Sequence, residues 1–202
     1  MKILRQSAAV AVLLLLALPA LAQAPAVQRV RGTVEKLDGN TLMVKSRDGQ
    51  SVKIALAPNY TVRGVTKKSL SDIKVGDYVA STSKKGPDGK LHAVEVHIFP
   101  EAMRGTAEGQ FPWDLMPDSL MTNATVGSLA AAPSGSTMKV TYKGQESEIV
   151  VPSNIPIVTY VPGDASLLKP GATVFVIAQK KDDGSLSAPA VTAEKDGVKP
   201  PM

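Results

Sequence analysis

The chain has 202 residues, with 23 Lys and Arg, 18 Asp and Glu, 44% hydrophobic residues, 4% aromatic residues and no cysteine. This composition is typical of a globular protein and excludes a disordered or fibrous chain. The lack of cysteine excludes disulfide bonds, thiolate metal sites, thiol nucleophiles and a cysteine-linked lipid anchor.

The first 22 residues have the pattern of a secretory signal peptide. Two basic residues precede an unbroken apolar run from Ala8 to Leu18, and the small-x-small triplet Ala20-Leu21-Ala22 follows it. We therefore predict cleavage after Ala22. The apolar run has 11 residues, whereas a membrane-spanning helix needs about 18 or more, so no membrane span is predicted. The mature protein is expected in the periplasm or outside the cell.

The rest of the chain contains the same pattern of turn residues twice. Gly39-Asn40-Thr41-Leu42 matches Gly135-Ser136-Thr137-Met138 at an offset of 96, and Asp88-Gly89-Lys90-Leu91 matches Asp183-Gly184-Ser185-Leu186 at an offset of 95. A nearly constant offset over this length predicts a tandem duplication. The copies are predicted at residues 28–98 and 124–195, followed by a frayed tail at residues 196–202.

Each copy is predicted to be β structure. In the first copy, short runs rich in Val, Ile and Thr predict five strands, at Val30–Leu37, Thr41–Ser46, Ser51–Leu56, Tyr78–Thr82 and Leu91–Ile98. One helical turn is predicted after Ser69, and Asp164 has the equivalent capping position in the second copy. Five short strands and one turn are typical of a small barrel of the OB type. We predict an all-β protein of two tandem OB-like β-barrels joined by an ordered irregular connector.

Three strings in the first copy resemble a known pattern. G-T-V-x-x-L-D-G-N-T-L-x-V from Gly32 to Val44, L-x-D-I-K-V-G-D-x-V from Leu70 to Val79 and D-G-x-L-x-A from Asp88 to Ala93 are similar to a family of bacterial exported small β-barrel domains of unknown function. The resemblance is strongest over residues 30–98, and the second copy departs from it at Pro170 and Ala172. It implies the fold and export, and it brings no catalytic residues.

The connector, residues 99–123, has no counterpart in either copy. It contains the only Trp, two of the three Phe and three of the seven Met, which is more apolar area than a solvated linker carries. One interpretation is that it packs between two small barrels, with Trp113 buried and its ring N–H bonded to a backbone acceptor. The other is that it presents Arg104, Glu108, Trp113 and Asp114 to a ligand or partner.

A metal site is the second functional hypothesis. Glu95 and His97 are two residues apart on a predicted strand and therefore share a face, and Glu101 and Met103 follow closely. These side chains suit a divalent ion or copper. The alternative is a surface Glu–His pair beside a methionine that fills a gap in the core. A periplasmic metal-binding accessory protein is therefore the alternative function, and no other cofactor is predicted.

Catalytic and nucleic-acid-binding patterns are missing from the sequence. It has no G-x-S-x-G, H-E-x-x-H, Walker A or G-x-G-x-x-G motif, and only His92 and His97 are bases near neutral pH. Few aromatic residues and a small net charge argue against nucleic-acid binding. We predict an exported non-catalytic binding or scaffold protein, not an enzyme, that binds a periplasmic protein or a small ligand; no pattern specifies its oligomeric state.

Overall fold

The computed structural model describes residues 26–132 and 135–201, so the predicted signal peptide and its cleavage site lie outside the described residues. The strands are β1 (Val27–Asp38), β2 (Thr41–Ser46), β3 (Ser51–Lys68), β4 (Tyr78–Lys85), β5 (Leu91–Ile98), β6 (Gly109–Trp113), β7 (Ser119–Ala132), β8 (Gly135–Tyr142), β9 (Gln145–Pro152), β10 (Ile157–Gly163), β11 (Thr173–Lys180) and β12 (Leu186–Ala193). Three single turns of 3-10 helix lie at Leu70–Asp72, Glu101–Met103 and Ala165–Leu167. The prediction of an all-β protein is confirmed. Within the described ranges, no helix is long and apolar enough to cross a membrane.

Alternating side chains give each strand an inner and an outer face. In β8, Met138, Val140 and Tyr142 are buried, whereas Lys139 and Thr141 between them are exposed. Successive residues of a strand point to opposite faces, so such a strand can line a barrel on one side and face water on the other. This alternation is the local property that lets a short β segment enclose an apolar core.

Five strands form a closed barrel, here called the first barrel. The order is β12-β11-β1-β2-β3, and a parallel pairing between β12 and β3 closes it. Its interior is filled by aliphatic side chains, among them Val34, Leu42, Val44, Ile54 and Val191. Closure leaves no free edge within these five strands.

Five other strands form a second ring, in the order β5-β4-β7-β8-β9. A short parallel pairing between β5 and β9, Leu91 with Ile149 and His92 with Val150, joins its ends. Its interior contains a separate apolar cluster that includes Val96, Met138 and Ile149. The two rings therefore have two distinct cores.

Each ring combines strands from both halves of the chain. The first barrel takes β1, β2 and β3 from the N-terminal half and β11 and β12 from the C-terminal half, whereas the second ring takes β4 and β5 from the former and β7, β8 and β9 from the latter. The predicted tandem barrels would each close within residues 28–98 or 124–195. The pairings instead show that the two halves exchange their last two strands.

The exchanged pairings are equivalent in the two rings. Thr33 pairs with Thr173, and Tyr78 pairs with Thr125. In the predicted repeat, Thr125 corresponds to Thr33 and Thr173 corresponds to Tyr78. The two pairings therefore join the same two repeat positions, with the halves interchanged. Strands β11 and β12 also begin and end 95 residues after β4 and β5. The same elements thus recur at the offset found in the sequence.

Strand β3 connects the rings and is much longer than predicted. It covers 18 residues, and its second half pairs antiparallel with β10, with Val65 opposite Tyr160. These two residues are 95 positions apart, which is the offset of the predicted repeat, so equivalent residues of the two halves pair with each other here. The register of this pairing therefore has a twofold centre between them. A side chain at Gly163 would require the Leu167 side chain to move, because its Cβ would lie 2.6 Å from Leu167 Cδ1 and 3.1 Å from the amide nitrogen of Gly64.

The capping turns have the predicted form. The Ser69 amide donates to Asp72 Oδ2 at 2.8 Å in the first turn, and Asp164 Oδ1 accepts from the Ser166 amide at 2.8 Å in the second. Gly76 and Gly171 follow these turns with φ of 92° and 88°, in the left-handed region that glycine adopts without strain.

The connector and the tail are more regular than the sequence indicated. The connector contains strand β6, which pairs with β7, and its last five residues, 119–123, already belong to β7. In the tail, Lys195 and Val198 exchange backbone hydrogen bonds of 3.1 and 2.9 Å. Val198 packs against a third apolar cluster between the rings, together with Phe111 and Trp113 of the connector. This cluster consists of Val65, Ala80, Met121, Val158, Tyr160 and Phe175.

Strand exchange predicts that the halves stay together after the chain is cut. A protease sequence inserted at the exposed connector between Arg104 and Gly105 should allow complete cleavage without dissociation, because six strand pairings join the two halves. Gel filtration of the cut protein at about 1 μM should give the elution volume of the uncut insertion variant. Two separate fragments under native conditions would show instead that each half closes by itself.

Candidate functional site

A cleft of about 410 Å³ lies between the first barrel and the second ring, and we call it the central cleft. The barrel contributes Arg29, Arg63, Phe175, Ile177, Ala190 and Thr192; the ring contributes Ala80, Met121 and Asn123. Tyr160 of β10 and several connector residues complete its lining. The cleft exists only because strand exchange places these outer faces opposite each other.

Aromatic residues of the connector pack against the barrel side of the cleft. The ring centroids of Phe111 and Trp113 are 6.1 Å apart, and those of Trp113 and Phe175 are 6.3 Å apart, both with edge-to-face geometry. Such contacts add stabilisation beyond the area that they bury. The interpretation of the connector as ordered packing between the two rings is therefore supported by its contacts.

Two arginines of β1 lie next to Trp113. The guanidinium carbon of Arg29 is 4.1 Å from the Trp113 ring centroid, and that of Arg31 is 5.0 Å from the Phe175 ring centroid. Both distances are within the range of cation–π contacts. The two arginines are adjacent because residues i and i+2 of a strand share one face.

Asp114 is the carboxylate next to this arginine pair. Its Oδ1 accepts from Arg31 Nη2 at 2.7 Å, whereas its Oδ2 is 3.6 Å from Arg29 Nη1. Burial raises the pKa of the Asp114 carboxyl, but the Arg31 hydrogen bond and the charges of both arginines outweigh it, so the pKa lies below its ordinary value. Asp114 is thus an anionic partner chiefly of Arg31.

Several buried polar atoms at the site have no hydrogen-bond partner among the described residues. They are Arg29 Nε, Arg31 Nε, Trp113 Nε1 and Asn123 Oδ1. The prediction that the Trp113 ring N–H finds a backbone acceptor was therefore wrong, and the residue is half-buried rather than largely buried. Buried polar groups normally have partners, so this cluster of unpartnered ones makes the central cleft the candidate ligand site.

The rim of the cleft is apolar. Val27 and Ile177 line it and are 53% and 46% exposed, and they are two of the three large hydrophobic side chains exposed in the described residues. Exposed apolar residues that adjoin a cavity are typical of binding sites. A ligand body that extends from the cleft would cover them.

Tyr160 separates the cleft from a buried polar group on the second ring. Its ring centroid is 5.3 Å from that of His97 and 5.7 Å from that of Phe99. Burial raises the pKa of the Tyr160 hydroxyl above its ordinary value, and the Glu95 charge adds to this, whereas the Arg63 charge opposes it. The Tyr160 hydroxyl therefore stays protonated at neutral pH.

The buried polar group consists of Thr82, Glu95 and His97, all at most 1% exposed. Thr82 Oγ1 donates to Glu95 Oε1, and His97 Nε2 is 3.3 Å from Glu95 Oε2. His97 Nδ1 has no partner in the described part of the chain. The prediction placed Glu95 and His97 correctly on one face, and the structure adds that this face is buried.

The equivalent positions in the other half are largely apolar. Residues 95 later than Thr82, Glu95 and His97 are Ile177, Ala190 and Thr192, and these three line the barrel side of the central cleft. The two halves thus have matching strands and different chemistry at these positions.

The other predicted metal ligands do not join Glu95 and His97. Both carboxylate oxygens of Glu101 accept from Arg104, at 2.6 and 2.7 Å, and the Glu101 side chain is 76% exposed. Met103 packs against the third apolar cluster and lines the central cleft. Residues 26–132 and 135–201 contain no group of three His, Asp or Glu side chains that could hold an ion.

Two of the predicted ligand-binding residues instead fasten the connector to the second ring. Arg104 donates to the Gly76 carbonyl at 2.9 Å, and Glu108 Oε1 accepts from the Lys143 amide at 2.9 Å. The adjacent Tyr78 hydroxyl donates to the Thr106 carbonyl at 3.0 Å, and burial together with the Glu108 charge raises the pKa of Tyr78 to about 12. Of the four residues, only Trp113 and Asp114 lie at the central cleft or beside it.

Sequence reasoning missed Arg29, Arg63 and Tyr160 as site residues. A weak signal existed for the first, since Arg29 directly precedes the predicted strand Val30–Leu37 and would share a face with Arg31 if that strand began earlier. An exposed strand face gives the same pattern, so the sequence alone could not distinguish the two. Comparison of the chain with protein-family models, curated proteins and solved structures finds no match.

Asp114 should stabilise the protein in a pH-dependent way. Because its pKa is lowered in the folded state, its contribution is complete above the ordinary Asp pKa of about 3.9 and is lost as pH falls through the lower folded value. Asp114→Asn should therefore cost about 0.5 kcal/mol at pH 7, as expected for a half-exposed pair, and less near pH 2. Urea unfolding at both pH values measures this.

Asp118→Asn is the matched control. Asp118 is exposed, forms no ion pair with the described residues, and has a φ of 59° that Asn tolerates. It should change stability little at either pH. An equal loss for Asp114→Asn at pH 7 and pH 2 would contradict the ionic role.

The buried polar group should behave as a unit. Glu95→Ala alone should destabilise the protein by about 3 kcal/mol, because it leaves His97 and Thr82 without their partner. The triple variant Thr82→Ile/Glu95→Ala/His97→Thr installs the residues of the other half and should lose less than the single variant. Thermal or urea unfolding decides this, and a triple variant at least as unstable as Glu95→Ala would refute it.

Proposed function

We propose that the chain is an exported, non-catalytic binding protein whose small ligand occupies the central cleft. Export, OB-like rings and a duplicated module enter this proposal from the sequence. The closed first barrel and the recurrence of elements at one offset support the duplication, because an exchanged pair of like units produces that register. The protein is thus proposed to be a covalently joined, strand-exchanged pair of one small barrel module.

The observation that carries the binding role is the chemistry of the central cleft. Aromatic and aliphatic walls enclose about 410 Å³, within the 300–1,000 Å³ typical of small-molecule sites. Trp113 Nε1, Asn123 Oδ1 and Arg29 Nε are buried there without partners. An apolar lining with a few unsatisfied polar atoms is the usual composition of a ligand pocket.

Two observations favour binding over catalysis. His92 is paired with Asp88 at 3.0 Å on the surface, and His97 is completely buried and does not line the cleft. Neither histidine is positioned to exchange a proton with a molecule in the central cleft. The metal-binding alternative has less support, because Glu101 is engaged by Arg104.

The proposal predicts binding of a neutral apolar probe at one site. N-phenyl-1-naphthylamine should bind mature protein with 1:1 stoichiometry and micromolar affinity, with enhanced probe fluorescence and a changed Trp113 emission. Ala190→Phe places a ring in the cleft lining and should weaken probe binding by about tenfold or more, because it fills the space that the ligand needs.

Ala130→Phe is the matched control for this substitution. Ala130 is exposed on β7 and does not line the central cleft, so probe binding should be unchanged. Absence of saturable probe binding, or equal affinity in Ala190→Phe and Ala130→Phe, would refute the central cleft as the binding site. Circular dichroism of both variants verifies that they are folded.

A further inference from the structure

We infer that the ligand of the central cleft is an amphipathic anion, with one anionic head group and a single aliphatic or aromatic body. This inference rests on the proposed binding function and adds the charge class of the ligand. It also names Arg29 as the principal residue that recognises the head group, with Arg63 as a second cation at the same cleft.

The lining of the cleft carries positive charge without compensating carboxylates. It includes two cations, Arg29 and Arg63, and no Asp or Glu. The carboxylate that pairs with Arg29 is Asp114, with 3.6 Å between Arg29 Nη1 and Asp114 Oδ2. Arg63 forms no ion pair with any other described residue. A cationic ligand would be repelled here, whereas an anionic head would compensate the charge.

Arg29 has hydrogen-bond donors to spare. A guanidinium has five N–H donors, and the structure gives Arg29 only the long contact to Asp114 and the stacking on Trp113. Its Nε is buried without a partner. The contact with the indole restricts the Arg29 guanidinium, and a restricted guanidinium presents paired donors that match a carboxylate, sulfonate or phosphate.

Arg31 is occupied and therefore leaves this role to Arg29. Asp114 accepts from Arg31 at 2.7 Å, a charge-assisted hydrogen bond of normal length. Asp114 thus compensates one of the two adjacent charges and leaves the other for a ligand. The buried Trp113 Nε1, also unpartnered, is a further donor beside the same guanidinium.

The opposite side of the cleft is built for an apolar body. In the second half of the chain, Met121 and Asn123 stand 92 residues after Arg29 and Arg31, at the offset that aligns Thr125-Val126 with Thr33-Val34. Both Met121 and Asn123 line the cleft, next to Ala80 and Phe111. At these equivalent positions β1 contributes the cation Arg29 and β7 contributes Met121, while Ala80 and Phe111 add apolar atoms and Asn123 is the polar exception. This asymmetry matches a molecule with one charged end.

The size of the cleft selects a single small amphiphile. A volume of about 410 Å³ is near the lower end of the range for small-molecule pockets, and it suits one short chain or one ring system rather than a diacyl lipid. The exposed rim residues Val27 and Ile177 extend the apolar surface for the remainder of the body.

Displacement of bound N-phenyl-1-naphthylamine by matched ten-carbon competitors tests the inference. Decanoate, decanol and decyltrimethylammonium differ only at the head, and each is used below its micelle concentration. Decanoate should bind at least about tenfold more tightly than decanol, as a charged hydrogen bond to arginine implies, and decyltrimethylammonium should be weakest. Rising salt should weaken decanoate alone.

The variant Arg29→Met should abolish the preference for decanoate over decanol, measured as the ratio of the two affinities within the same variant, so that any general change in probe affinity cancels. Lys36→Met is the matched control, since Lys36 is an exposed cation of the same strand outside the cleft, and it should preserve the preference. Arg63→Met provides a second, independent test and should reduce the preference. Melting temperatures verify that each variant is folded.

The outcomes separate this inference from the proposed function. If the neutral probe binds and decanoate shows no advantage over decanol, or if Arg29→Met and Arg63→Met both retain that advantage, the anionic head group is refuted and the binding function stands. If the probe does not bind at all, both proposals fail. A decanoate preference lost in Arg29→Met and kept in Lys36→Met establishes the inference.

Discussion

The antiparallel pairing of β3 with β10 determines how the rest of the molecule is arranged. Its seven residue pairs run from Val62 with Gly163 to Lys68 with Ile157, and they join two rings that would otherwise have no shared sheet. Strand β3 continues through this pairing instead of turning back into the first barrel. The strands that follow it, β4 and β5, therefore belong to the second ring. Strand exchange, the central cleft and the position of the connector all follow from that continuation.

Strand exchange between two identical halves would give a cleft with twofold symmetry. The side chains of the two halves differ, so the cleft is asymmetric. Val65 stands opposite Tyr160 at the twofold centre of the register, so an aliphatic residue and a large aromatic one share one structural position. The arginine side of the cleft likewise faces Met121 and Asn123. The connector, which has no counterpart, adds Trp113 on the arginine side. The two halves share one framework, and the cleft between the rings is nevertheless asymmetric.

The buried group around Glu95 has a higher desolvation cost than the largely apolar residues at the equivalent positions of the other half. Moving a carboxylate and an imidazole out of water is unfavourable unless they are paired, and here each contacts the other while His97 Nδ1 remains unpartnered. Ile177, Ala190 and Thr192 fill the equivalent positions with much less desolvation of polar groups. The polar group is therefore expected to add little net stability over the apolar residues of the other half.

The sequence by itself determined the local features of the fold. Strand boundaries at Thr41–Ser46 and Leu91–Ile98, the capped turns after Ser69 and Asp164, and the common face of Glu95 and His97 depend on alternation, capping and turn geometry within a few residues. The sequence did not determine which half supplies β11 to β1. A barrel closed within one half and a barrel closed by exchange use the same hydrogen-bond register and bury the same residues, so both satisfy the same pattern. Only the tertiary path of β3 decides between them, and it brings Arg29, Tyr160 and Trp113, far apart in the chain, to one cleft.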